Sequence, residues 1–229
     1  MAPLLCFLSI FQIAPALGPG SVPHEGPALV SQVPAAPDSF PSSRSFLDEG
    51  RPTLDLAGTE IRIRNGIPFY TLAFYVNLKE LRGAAGPGPW TLDRLAGILV
   101  GARVSQAYVT RFHQPVGRER RMEFLLENLR RYWDGPGFRE DTPAMRQFLA
   151  FFDWPLERNA ETVVWLRAGV IYTRRPGQKA TGTRDPGICR AFSASYLSAL
   201  PKPGADAPMR DALLKDLPGL LARDAQPRR

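Results

Sequence analysis

Residues 59–78 read TEIRIRNGIPFYTLAFYVNL, and this stretch decides the fold. Its first six residues alternate between polar and apolar side chains, which is typical of a strand with one buried face. Asn65-Gly66 follows and is a favoured dipeptide for the two-residue turn of a β-hairpin. Residues 67–78 are then apolar on both faces and rich in aromatic and β-branched side chains, which indicates a central strand covered on both sides. The sequence therefore predicts a β-hairpin near the start of the folded domain.

Periodic patterns along the rest of the chain predict a mixed α+β domain. Apolar residues recur at three- and four-residue spacing from Met122 to Trp133, which predicts a helix with one face packed on the sheet. Thr142 and Pro143 open a second helix as its cap and first-turn residue. The other predicted strands are 104–112, 162–167, 170–174 and 178–183. The other predicted helices are 92–100, 185–200 and a last one from near Pro208 to near Pro218. Strands grouped in this order favour a largely antiparallel sheet with helices on one face.

The N-terminal part of the chain differs in composition from this domain. Residues 1–18 contain an apolar run that is too short to span a bilayer comfortably, and we predict that they form a signal peptide. Since no Lys or Arg precedes the run, an uncleaved anchor or a misassigned start is the alternative. Residues 19–54 are rich in Pro, Ser, Ala and Gly and are predicted to be a disordered leader. The folded domain is therefore assigned to residues 55–222, with no membrane span in the mature chain. We expect an exported protein, periplasmic or secreted, or a cytoplasmic one if the apolar run is not a signal.

Charge and histidine content restrict the classes of function. The chain has 29 Lys and Arg against 22 Asp and Glu, a net charge of +7. The arginines of residues 118–131 alternate with glutamates, so we interpret them as a solvated helix face with internal ion pairs rather than a nucleic-acid surface. The histidines, His24 and His113, and the cysteines, Cys6 and Cys189, are far apart in the sequence. No metal site, cofactor or histidine-based triad is predicted.

Three segments resemble the chalcone isomerase-like family, whose fold is an open-faced β-sandwich. Residues 58–76 are similar to a family pattern of a glycine, an arginine and a strand ending in Tyr-x-x-x-Leu-Tyr-Val. Residues 108–113, with the helix ending at Leu126-Glu-Asn-Leu129, give a second match. Residues 189–201 resemble the closing helix, although Ser198 stands where the family has glycine. The resemblance implies an α+β open-faced β-sandwich, with a largely antiparallel sheet and helices packed on one face.

The resemblance also implies a set of ligand-binding positions. In the plant isomerases an arginine near the first strand, a threonine in the second, and a tyrosine and an asparagine on the helix hold the substrate. Arg62 matches the arginine, and Tyr70 or Thr71 falls near the threonine. Asn128 falls near the asparagine, but Arg121 stands where the tyrosine is expected. The missing tyrosine counts against ring closure of a chalcone, so no catalytic residue is assigned.

An arginine in such a cleft suits a carboxylate, because the guanidinium fork binds both oxygens. An apolar slot between sheet and helices accommodates a hydrophobic chain, and some non-catalytic members of the family bind fatty acids in this way. We expect a non-catalytic protein that binds a hydrophobic, fatty-acid-like carboxylate through the five positions Arg62, Tyr70, Thr71, Arg121 and Asn128. One alternative is an interaction or structural protein without a ligand, in which Arg62 faces water. The other is an isomerase (intramolecular lyase) acting on a small carbonyl compound. Protein partners are not indicated.

Overall fold

The strands join one antiparallel sheet in which each strand pairs with its neighbour in sequence. They are β1 (Ser43–Ser45), β2 (Thr53–Arg64), β3 (Ile67–Val76), β4 (Gln106–Phe112), β5 (Glu161–Arg167), β6 (Val170–Arg174) and β7 (Thr181–Arg184). The structure is a computed structural model that describes residues 40–46, 53–64, 66–175, 178–198 and 209–223.

The helices pack on one face of this sheet. They are α1 (Leu78–Ala85), α2 (Leu92–Val100), α3 (Arg118–Tyr132), α4 (Pro143–Phe152), α5 (Pro186–Leu197), α6 (Arg210–Leu214) and α7 (Leu217–Arg223). The larger apolar core lies between helices and sheet and includes Leu72, Phe74 and Leu129. The predicted fold class, an open-faced β-sandwich with an antiparallel sheet and helices on one face, is confirmed. In the described part of the chain, no helix has the length and apolar character needed to cross a membrane.

A second, smaller apolar cluster covers the other face of the sheet. Phe46, directly after β1, is 1% exposed, and its ring meets that of Tyr75 edge-on at a centroid distance of 5.4 Å. Because β1 pairs with the start of β2, the sheet begins earlier in the chain than the predicted start at residue 55. The predictions for residues 1–18 and for most of residues 19–54 lie outside the described residues.

Helix α1 begins at Leu78, the last residue of the predicted second strand, and continues through residues for which no helix was predicted. The Asn77 side chain explains the difference, because it accepts a hydrogen bond from the backbone amide of Glu80 at 3.0 Å. Such an N-cap satisfies an amide that the first helical turn leaves without a partner. The predicted final helix is also divided, into α6 and α7.

A β-bulge in the β2–β3 hairpin determines which side chains face the helices. Arg62 pairs with Tyr70 and Ile63 pairs with Pro68, so Phe69 is an extra residue on its strand. The extra residue interrupts the alternation of side chains between the two faces. As a result, the consecutive residues Phe69 and Tyr70 both pack against the core on the helical side. Of the predicted turn, Gly66 has a φ of 75°, a conformation that favours glycine.

Candidate ligand-binding cleft

A cleft opens between the sheet and helices α3 and α5. It contains roughly 830 Å³ of empty space, part of which is open to solvent. Most of its wall is apolar, and the principal side chains are Phe69, Phe112, Phe124, Leu129, Phe152 and Phe192. The cleft therefore has the apolar surface expected for a hydrophobic ligand.

Arg121 is the buried cation of this cleft. It is 7% exposed, and its guanidinium lies over the rings of Phe152 and Trp154, at 5.0 and 5.1 Å from their centroids. Its Nη1 donates a hydrogen bond to the Trp154 carbonyl at 3.2 Å, whereas its Nη2 is buried without a hydrogen-bond partner. Burial and the nearby charge of Arg175 lower the pKa of Arg121 to about 10. The side chain is therefore charged at neutral pH, and no carboxylate among the described residues pairs with it.

The other arginines of α3 behave differently from Arg121. Arg131 pairs with Glu127 at 2.6 Å, Arg118 pairs with Asp153 and Arg130 pairs with Glu140. Of these three pairs, Arg131–Glu127 is internal to the helix as predicted, whereas Asp153 and Glu140 lie outside α3. Arg121 was included in the predicted solvated helix face, and for this residue the interpretation is wrong. It lies on the inward stripe of the helix with Leu125, Asn128 and Leu129, which all line the cleft, because residues spaced by three and four share a helix face.

Tyr196, on α5, places a hydroxyl-bearing ring in the cleft wall. Burial raises the pKa of Tyr196, as do the neighbouring Tyr70 and Tyr108, while the positive charges of Arg62 and Arg121 act in the opposite direction. The net shift is upward, so the phenol is protonated at neutral pH and is able to donate a hydrogen bond. In the described part of the chain its hydroxyl forms no hydrogen bond.

Arg62 lies in a side chamber of the same cleft. The chamber shares Tyr70, Asn128 and Tyr196 with the main cleft and adds Tyr132. Arg62 is directly opposite Tyr70 in the sheet, and residues in such a pair point to the same face. The half-buried Arg62 side chain therefore faces the helical layer rather than open water.

Four of the five predicted positions, Arg62, Tyr70, Arg121 and Asn128, line the cleft or its side chamber. The fifth, Thr71, does not. Side chains alternate along β3 after the bulge, so Thr71 points to the face opposite that of Tyr70. Its hydroxyl lies 2.7 Å from Nε2 of His113. Thr71 is therefore not part of this cleft, because the sheet separates its side chain from it.

Several polar residues of the cleft were not predicted. Tyr108 and Thr110 lie on the cleft face of β4, and Thr162 pairs with Thr110 from β5. Alternation along β4 is the signal that places the first two on one face. Helical spacing is the corresponding signal for Tyr196, which follows Phe192 by four residues on α5.

The main cleft and its side chamber contain hydrogen-bond donors but no base. Among the described residues that line them there is no histidine and no carboxylate. A group of three or more potential metal ligands is likewise not found in the described part of the chain. Arginine side chains and protonated tyrosines can bind and orient an anion, but they do not accept a proton at neutral pH.

A curled antiparallel sheet with helices on one side is the architecture of the chalcone isomerase-like fold. The chain shares its fold with a solved structure, the fatty-acid binding protein AtFAP1 of Arabidopsis thaliana, with a TM-score of 0.61 over 80% of this chain and 92% of that chain. The two sequences are 15% identical, so the likeness concerns the fold. No family model and no curated protein sequence matches the chain.

Proposed function

We propose that the protein is a non-catalytic member of the chalcone isomerase-like family that binds a fatty-acid-like carboxylate in this cleft. The state of Arg121 is the observation that carries the proposal. A buried charge without a counterion costs several kcal/mol in order of magnitude. A ligand carboxylate supplies both the opposite charge and the acceptor that Nη2 lacks. The cation is thus positioned for a partner that the described residues do not supply.

Polar groups around Arg121 fit the second oxygen of a carboxylate. Tyr196 is protonated and forms no hydrogen bond within the described structure. The Asn128 amide lines both the main cleft and the side chamber. These two donors, together with the guanidinium, can complete the hydrogen bonding of a bound carboxylate. Arg62 places a second positive charge in the adjoining chamber.

The apolar wall of the cleft suits the hydrocarbon chain of such a ligand. Phenylalanine side chains from two strands and three helices line it, and each buried methylene group contributes roughly 0.8 kcal/mol to binding. A long chain therefore supplies most of the affinity, and the carboxylate sets the orientation. The shared fold with a fatty-acid binding protein supports the same general class of ligand.

The two alternative functions account for fewer of these features. An isomerase that removes a proton requires a base, and the described cleft residues include none. An interaction protein without a ligand leaves the Arg121 Nη2 group buried and without a partner. Arg121 also has a purely structural interpretation, in which its only role is the hydrogen bond that links α3 to the Trp154 carbonyl. The experiment has to separate this role from ligand binding.

Isothermal titration of the full chain with palmitate tests the proposal. We expect saturable binding, reduced at least tenfold by Arg121→Met, because a hydrogen bond to a charged group contributes about 1.5–3 kcal/mol. Arg130→Met is the matched control, since it removes an arginine from the exposed face of the same helix and should leave the affinity unchanged. Absence of palmitate binding in the wild type, or equal affinity in a folded Arg121→Met variant, would contradict the proposal.

A further inference from the structure

The tip of the β2–β3 hairpin exposes large apolar side chains. Ile63 is 59% exposed and Ile67 is 53% exposed, and no other large apolar side chain among the described residues is as exposed. Ile63 pairs with Pro68, and Ile67 pairs with Arg64. Successive pairs of a hairpin point to opposite faces, so the two isoleucines lie on different faces of the same tip. The end of the hairpin is therefore in contact with solvent on both faces.

This tip adjoins the entrance of the cleft. Arg64, the cross-strand neighbour of Ile67, lines the cleft, and its guanidinium lies over the rings of Phe69 and Phe124 at 5.2 and 4.7 Å. The exposed Arg120 lines the same entrance from α3. Apolar side chains, arginines and the cleft entrance thus occur together at one end of the sheet.

We infer that this hairpin tip docks on the surface of an anionic lipid bilayer. The two isoleucines enter the boundary between headgroups and acyl chains, while Arg64 and Arg120 lie among the acidic headgroups. The net charge of +7 favours approach to such a surface. Glu123 and Glu127 lie with Arg120 in a surface groove beside the cleft. They oppose the attraction only in part, because Glu127 pairs with Arg131 at 2.6 Å.

The size of the tip favours a bilayer over a protein partner. Specific protein interfaces bury on the order of 800 Å² on each partner, more than two isoleucines at a hairpin turn provide. A bilayer, in contrast, accepts a small apolar projection and attracts nearby arginines at the same time. If the ligand is a fatty acid, as proposed above, this docking lets it pass between membrane and cleft with little of its chain exposed to water.

Co-sedimentation of the full chain with vesicles, in the absence of fatty acid, tests the docking. The vesicles contain phosphatidylcholine with about one quarter phosphatidylglycerol, and pure phosphatidylcholine vesicles serve as the neutral comparison. We expect Ile63→Ser/Ile67→Ser to reduce partitioning roughly tenfold or more, because the apolar area that enters the bilayer is lost. Arg120→Gln should reduce it by about fivefold, the effect of one charge at an anionic surface.

Arg103→Gln is the matched charge control, because the exposed Arg103 precedes β4 at the end of the sheet far from the hairpin tip. The partitioning of this variant should stay close to that of the wild type. A thermal melt confirms that the double variant is folded.

Equal sedimentation of wild type and double variant, or no sedimentation of the wild type, overturns the inference. So does a change in oligomeric state of the double variant without vesicle binding, which would identify the tip as a protein interface. Neither isoleucine lines the cleft, so palmitate titration of the double variant reports on the ligand site separately.

Discussion

The two faces of the sheet differ in how far their charged groups are paired. On the face away from the helices, Glu161 accepts hydrogen bonds from Arg44 at 2.7 Å and from Arg111 at 3.4 Å, and the Tyr75 hydroxyl donates to the Pro41 carbonyl at 3.1 Å. On the helical face, the Arg121 Nη2 group is buried beside the cleft and has no hydrogen-bond partner among the described residues. Polar groups that satisfy one another hold a structure together. Unsatisfied ones beside an open volume indicate a site that a ligand completes.

The largest expected effect is on the face away from the helices, where Phe46→Ala removes a buried aromatic ring. Truncation of a core phenylalanine costs about 3–5 kcal/mol, so the free energy of unfolding should fall by that order. Palmitate affinity of the folded variant should not change, because Phe46 lies on the opposite side of the sheet from the cleft. Denaturant titration measures the free energy of unfolding, and titration calorimetry measures the affinity for palmitate. A chain without residues 1–39 keeps Phe46 and should retain its stability. If that chain loses stability while Phe46→Ala leaves the free energy of unfolding unchanged, residues 1–39 and not Phe46 stabilise the domain, and the prediction is contradicted.

Removal of an arginine should have opposite consequences on the two faces. Arg121→Met relieves a buried charge, so the stability of the ligand-free protein should stay the same or rise, as is common when buried ionic groups are replaced by apolar ones. Arg44→Met breaks the contact with Glu161, where both side chains are 26% exposed, and should cost about 1 kcal/mol or less. Thermal melts of both variants measure the difference. A clear fall in stability for Arg121→Met would favour the purely structural interpretation of this residue.

The smallest effect is expected from single hydroxyl groups. Tyr196→Phe removes a donor from the cleft and should weaken palmitate binding by about fivefold, since one hydrogen bond contributes roughly 1 kcal/mol. Tyr172→Phe is the control, because its ring stacks on Trp165 on the other face at a centroid distance of 5.2 Å. Titration calorimetry of both variants decides the point. Equal affinities in the two would show that Tyr196 does not contact the ligand.

Local patterns predicted much of the fold. Alternation in residues 59–64 and the Asn65-Gly66 dipeptide located the hairpin, and the apolar period of α3 located the main helix. The bulge at Phe69 was not predictable in this way, because it depends on the register between two strands and not on either strand alone. β1 was missed since three residues within a Pro- and Ser-rich segment are too few to show alternation.

Most of the predicted ligand-binding positions lie in the cleft or its side chamber, but the sequence did not show that Arg121 is buried. The resemblance indicated Arg121, and helical spacing from Leu125 and Leu129 could have shown that it points inward. The nearby glutamates suggested ion pairs instead, and only the packed structure shows that they face solvent while Arg121 does not. Thr71 was assigned to the site because the resemblance did not distinguish it from Tyr70. The bulge and the strand alternation resolve that choice.

The central claim is that Arg121 binds a ligand carboxylate, and a double cycle of protein and ligand tests it most directly. The affinities of wild type and Arg121→Met are measured for palmitate and for the neutral alcohol hexadecanol, which has the same chain length. The cycle isolates the interaction between guanidinium and carboxylate from the contribution of the hydrocarbon chain. We predict a coupling free energy of about 1.5–3 kcal/mol, with wild type preferring palmitate and the variant showing little preference. A coupling close to zero in a folded variant would contradict the claim.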